Sequence, residues 1–147
     1  MSSTAPAWQF QYSTDCRAPQ NFAWRYWTNI ANWNDPPATF RLDGPFAAGS
    51  QITTNLPDQT LHSVIREVIP DAEAIIDLQL PDAVLTFHWT LERLADDRTR
   101  ITQRLELSGA NANSLLPHSG VLEQTTPGGM KKLAAAIEQA YQDSANS

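Results

Sequence analysis

The sequence predicts an α+β fold, a curved antiparallel sheet of about seven strands around one long C-terminal helix. Three observations predict it. Trp8-Gln-Phe-Gln-Tyr12 alternates apolar and polar residues, the signature of a half-buried strand. From Thr39 to Ser108 the same alternation recurs between turn signals at Gly44-Pro45, Gly49, Pro57-Asp58, Pro70-Asp71, Pro81-Asp82 and Asp96-Asp97. Near the C-terminus, Met130, Leu133, Ala134, Ile137 and Tyr141 recur at helical spacing, with Lys131, Lys132, Glu138 and Gln142 on other faces. Strands grouped together, with helices kept apart from them, imply an antiparallel meander rather than a parallel sheet.

The elements follow in order. Behind the first strand, Pro19 opens a breaker-free, aromatic-rich stretch from Gln20 to Thr28, and Ala23, Trp24 and Trp27 share one helical face. A second short helix is expected over Ile30 to Trp33, stopped by Asp35-Pro36-Pro37, because proline cannot continue it. About six strands then run to Ser108. Thr126 is a candidate N-cap and Pro127 suits a first helical turn, which predicts a final helix of about four turns. Ser119-Gly120 and Pro127-Gly128-Gly129 interrupt any longer helix, since glycine costs about 1 kcal/mol relative to alanine there. Residues 109–126 are therefore expected to form a mobile entrance.

At 147 residues the chain suits one domain, 1–147, large enough to fold around its own core. Ten Lys and Arg against sixteen Asp and Glu give a net charge of −6, which repels phosphate backbones and argues against nucleic acid as a partner. No run approaches the ~20 apolar residues of a membrane span, so stable membrane insertion is not expected. The N-terminal residues lack the basic and apolar regions of a signal peptide, and the lone Cys16 cannot form an internal disulfide. The expected location is cytoplasmic. A homodimer is possible but nothing indicates one.

Period-2 register shows which side chains face inward. If the Pro70–Glu73 turn pairs Ile69 with Ala74, then Glu67 opposes Ile76, Ile65 opposes Leu78 and Ser63 opposes Leu80. The next turn, Pro81–Val84, sets Leu80 against Leu85, Leu78 against Phe87 and Ile76 against Trp89. The last hairpin sets Trp89 near Leu105 and Leu91 near Gln103. One face thus carries Ile65, Ile76, Leu78, Phe87, Trp89, Leu105 and Leu107. The other carries Arg66, Asp77, His88, Thr102 and Arg104, with Arg66 opposite Asp77 as an ion pair. Ser63, Glu67 and Gln103 fall on the oily face, where a polar group without a partner costs roughly 1–3 kcal/mol. They are candidates for a wet cavity, and packing inside an ordinary core is the alternative. The apolar wall would come from Ile76, Phe87, Trp89 and Leu105 on the sheet, with Met130, Leu133 and Ile137 on the helix. Trp27 and Trp33 add flat surfaces for an aromatic ligand.

Other residues carry less chemistry. His62, His88 and His118 match no metal-ligand spacing, and no metal or cofactor is expected. Cys16 has no neighbouring base in sequence to make it a nucleophile. No phosphate-binding glycine loop and no nucleophile elbow is present, so no catalytic residue is assigned.

Four stretches resemble the START-like, Bet v 1-like superfamily, also called SRPBCC, in its polyketide cyclase/dehydrase and lipid-transport branches. Ala18 to Asn29 resembles the first helix, and Ile30 to Asp35 the tryptophan-bearing second helix. Leu42 to Ser50 resembles the segment ahead of the third strand, and Trp89 to Thr102 the penultimate hairpin. The resemblance spans roughly positions 8 to 143 and implies the helix-grip fold with an apolar cavity between sheet and long helix. It implies a protein that binds a small hydrophobic or aromatic molecule, lipid included. The alternatives it leaves open are a cyclase- or aromatase-like enzyme, with Glu67 as candidate acid/base, and a chaperone-activator-like interaction module.

Overall fold

The computed structural model describes residues 7–33 and 38–145, apart from the side chains of 115–119 and 145. Strand β1 (Trp8–Cys16) leads into helix α1 (Gln20–Thr28) and a single 3-10 turn (Ile30–Asn32). Six strands follow: β2 (Thr39–Asp43), β3 (Gln51–Asn55), β4 (Thr60–Ile69), β5 (Glu73–Leu80), β6 (Ala83–Ala95) and β7 (Arg98–Ser108). Helix α2 (Ala112–Ala145) ends the chain. All strand pairs are antiparallel, in one sheet of order β1-β7-β6-β5-β4-β3-β2. The Asp35-Pro36-Pro37 stop lies outside the described residues. No described helix is long and apolar enough to cross a membrane.

The hairpins turn more tightly than the alternation suggests. Leu80 pairs with Ala83, leaving a two-residue turn in which Asp82 takes a left-handed φ of 55°. Aspartate tolerates that region better than most residues. Gly109 stands against this turn with φ 112°, and a Cβ there would lie 2.7 Å from the Ala83 Cα, so only glycine fits. The tighter turn sets Leu78 against Leu85, Ile76 against Phe87 and Ala74 against Trp89. In the last hairpin Trp89 pairs with Gln103 and Leu91 with Ile101. Both registers differ from the expected ones by two, which leaves every side chain on its expected face.

The β4–β5 hairpin differs in a way that matters. Ile69 pairs with Glu73 and Glu67 with Ile75, one step from the expected register. A β-bulge between Ile65 and Glu67 then adds a second step, and Ile65 pairs with Ile76 and Ser63 with Leu78. Ser63 and Ile65 therefore keep the inner face. Between turn and bulge the phase is inverted: Val68 packs into the core, while Glu67 and Ile69 point outward. The expected inward placement of Glu67 is thus corrected.

The inner face of the sheet reads as cross-strand rows. Phe10, Leu105, Phe87, Ile76 and Ile65 form one, and Tyr12, Gln103, Trp89, Ala74 and Val68 the next. Across this face lies α2, with Met130, Ala134 and Ile137 buried and Leu133 and Tyr141 packed against the same cluster. The helix does not start at Pro127, and Thr126 is not its cap. It runs unbroken over 34 residues, about 51 Å, through Gly120, Pro127, Gly128 and Gly129. Tertiary contacts override local propensity: Ala112 is buried and Leu122 packs on Leu85, Leu105 and their neighbours. Two further contacts hold α2 along β1. Trp8 Nε1 donates to Glu123 at 2.7 Å, and the Arg17 amide donates to Glu138 at 2.9 Å.

Candidate ligand-binding site

The candidate site lies where the inner face is less completely buried. Ile65, Leu105 and Ile137 have no solvent exposure, and Ile76 is buried. Leu78, Leu80, Phe87 and Trp89 lie on the same face yet are only half-buried, as are Phe10 and Tyr12 on β1. Half-buried apolar side chains on the face crossed by α2 are the candidate lining of a ligand site.

Two neutral polar groups stand in this surface. Ser63 and Gln103 are 7% and 8% exposed, and neither side chain has a hydrogen-bond partner among the described residues. Their polar atoms keep some contact with open space, because the sealed, unpartnered side-chain atom among the described residues is His88 Nε2. The other buried polar residues are already engaged. Thr99 donates to the Ala18 carbonyl at 2.8 Å, and Thr86, on the outer face, donates to Asp77 at 2.7 Å.

An aromatic cluster closes one end. Trp27 is buried and lies 4.8 Å, centroid to centroid, from Trp89. Trp33 stacks on Trp27 at 6.2 Å and donates its indole N–H to the Trp27 carbonyl at 2.6 Å. Phe46 meets Trp27 edge-on at 5.2 Å, and Phe40 meets Trp33 at 5.4 Å. Helix α1 supplies Trp27, the 3-10 turn delivers Trp33, and β6 presents Trp89. The opposite end is richer in leucine: Leu78, Leu80, Leu85, Leu105, Leu107 and Leu122 join Trp8 and Phe10 in a second cluster that shares Phe87 with the first.

The structure thus brings Trp27, Trp33, Ser63, Ile76, Phe87, Trp89, Gln103 and Leu105 to the inner surface or its aromatic end, with Met130, Leu133 and Ile137 opposite. It separates Glu67, which is exposed on the outer face. Phe40, Phe46 and Tyr12 are additional members. Phe40 and Tyr12 had a signal in the alternation of their strands. Phe46 sits in a glycine-bounded loop, where no periodicity points to it.

The remaining polar groups lie elsewhere. Arg66 holds Asp77 through two hydrogen bonds of 2.7 and 3.0 Å on the outer face. Partial burial raises the Asp77 pKa, but hydrogen bonds from Arg66 and Thr86 outweigh it and hold the carboxyl below its ordinary value. His62 is exposed, and His88 faces outward, its Nε2 3.5 Å from a Glu73 oxygen without making a hydrogen bond to it. The side chain of His118 lies outside the described set. Cys16 is 1% exposed, and burial, followed by the charges of Glu138 and Asp15, pushes its thiol up to about 11. Such a thiol holds little thiolate at neutral pH. An open depression of about 280 Å³ lies at β1, lined by Gln9, Phe10, Gln11 and Arg104. Its guanidinium is already paired with Gln9 at 2.6 Å and Glu106 at 2.7 Å.

No protein-family model matches the sequence, and no curated protein matches it. Solved structures do. Protein MLL2253 from Mesorhizobium loti superposes with a TM-score of 0.74 at 14% identity, covering 90% of this chain and 98% of its own. A norcoclaurine synthase point mutant from Thalictrum flavum, in complex with a transition-state analogue, gives 0.73 at 8% identity over 95% and 99%. DynU16, from the dynemicin biosynthetic locus, gives 0.68 at 14% identity, covering 90% of this chain but 48% of its own. At these identities the likeness establishes the fold.

Proposed function

We propose that this chain, which has the START-like, Bet v 1-like helix-grip fold, binds a small hydrophobic or aromatic molecule between its sheet and α2. The observation that carries this reading is the pair Ser63 and Gln103. Both stand unpartnered among the described residues in a mostly apolar inner face, beside half-buried Leu78, Phe87 and Trp89. A packed core would leave those two groups at a cost of roughly 1–3 kcal/mol each, whereas a bound molecule can satisfy them. A norcoclaurine synthase structure with this fold holds dopamine and hydroxybenzaldehyde, two small aromatic compounds.

A cyclase-like enzyme would use the same space to hold a flexible chain in a reactive shape. With Glu67 outside, the described inner face carries no carboxylate, histidine or lysine for proton transfer near neutral pH. That favours binding over acid–base catalysis.

The test is native mass spectrometry of freshly purified protein, followed by titration with the neutral apolar dye Nile red. The expected outcome is a co-purifying mass or saturable dye uptake with quenching of tryptophan fluorescence. A protein that carries no extra mass and takes up no dye overturns the reading.

A further inference from the structure

The inner surface is notable for the kind of polarity it holds. The buried polar side chains among the described residues are Ser63, Thr86, Thr99 and Gln103, and none of them is ionisable. Thr86 and Thr99 are already hydrogen-bonded. Gln103 and Ser63 remain, each able to donate and to accept. The described Lys, Arg, Asp and Glu side chains are exposed or half-buried, and the half-buried ones lie on the outer face or, for Glu138, accept from the Arg17 amide.

We infer that the ligand of this surface is uncharged, with a flat aromatic head that bears one hydroxyl, carbonyl or amide group and a short alkyl tail. The inference rests on the binding reading above and narrows it to a chemical class. An ionised carboxylate or ammonium placed here meets no counter-charge, and desolvating it costs several kcal/mol. A neutral polar group costs far less and finds its partner in the Gln103 amide.

The position of Gln103 orients the molecule. It pairs across the sheet with Trp89 on one side and Tyr12 on the other, so a ring resting on Trp89 brings its polar substituent to the amide. Phe87 and Leu85 follow on the same strand, where the surroundings are apolar throughout and leucines outnumber the rings of Trp8 and Phe10. Trp89 and Leu85 are four residues apart, about 14 Å of strand, which accommodates a ring with a tail of roughly six to eight carbons. Ser63, beside Leu78, is a small neutral group that such a tail can pass.

The experiment holds ring and tail constant and varies the head. Displacement of Nile red at pH 7.5 is measured for para-octylphenol, para-octylbenzoate and para-octylbenzylammonium on the unaltered protein. The phenol is expected to bind at least about tenfold more tightly than either ion. The Gln103→Leu variant, with its circular dichroism spectrum unchanged, is expected to lose about tenfold toward the phenol while octylbenzene binds as before. Either ion binding within about threefold of the phenol overturns the inference. So does a protein that binds Nile red and none of the three. Failure to bind Nile red at all overturns the binding reading instead. Should Gln103→Leu not fold, the three heads on the unaltered chain decide the matter.

Discussion

Two regions of one sheet face are finished in different ways. Where β1 runs into α1, Cys16, Ala18, Thr99 and Ile101 are each at most 1% exposed, and the Thr99 hydroxyl satisfies the Ala18 carbonyl. Elsewhere on the same face, Leu78, Phe87 and Trp89 stay half-buried, and Ser63 and Gln103 lack partners among the described residues. Both regions are made of similar residues on the same side of the same ladder. The first is closed by α1 and by the buried face of α2. The second packs against the same cluster as Met130 and Ile137 but is less completely covered. Apolar character thus marks a face, and the fit of the covering element decides whether that face becomes core or pocket.

The comparison breaks most directly by truncation. Ile101→Ala, in the sealed region, is expected to cost about 2–5 kcal/mol in chemical denaturation, because the cavity it leaves cannot collapse. Leu78→Ala, in the open region, is expected to cost less than about 1.5 kcal/mol, since part of that side chain already borders open space. Equal losses at the two positions would mean that both regions are packed core.

A chemical probe sharpens the same contrast. The Cys16 thiol is raised from 9.0 to about 11. Its alkylation by iodoacetamide at pH 7.5 is expected to be at least about 100-fold slower than that of an exposed cysteine. Labelling at an ordinary rate would show that the sealed end opens readily.

On the outer face the effects are smaller. Asp77 titrates below its ordinary value of 3.8 in the folded protein. Its contribution to stability is therefore present above about pH 4 and is lost as pH falls through the depressed folded value. Arg66 is more than half exposed, so Arg66→Met is expected to cost under about 1 kcal/mol at pH 7, with the difference from wild type shrinking in acid. A difference that grows as pH falls would contradict the assignment. Smallest of all is Glu67→Gln. An exposed side chain on the side away from the helix should change neither stability, within about 0.5 kcal/mol, nor Nile red affinity. A clear loss of dye binding would return Glu67 to the inner face and remove the bulge from the account.

Period-2 alternation from Leu61 to Leu107 was enough to identify the antiparallel meander and the faces of Ile65, Ile76, Leu78, Phe87, Trp89, Leu105 and Leu107. That held although two hairpins lie two steps from the simplest register, because a shift of two preserves every face. Glu67 shows the limit. It sits between a turn one residue tighter than expected and a bulge one residue wider, and a shift of one reverses a face. Helical spacing likewise identified Met130, Leu133 and Ile137 as the covering stripe. The first half of α2 was illegible because its prolines and glycines argue against a helix. Ala112 and Leu122 hold it through contacts with strands far away in the chain. The sequence alone therefore determined the class of fold, the oily face and the helix that covers it, since these rest on local periodicity. Only the tertiary structure decided the register of each hairpin, the side on which Glu67 stands and where α2 begins, because these depend on bulges, turn lengths and long-range packing that no local period records.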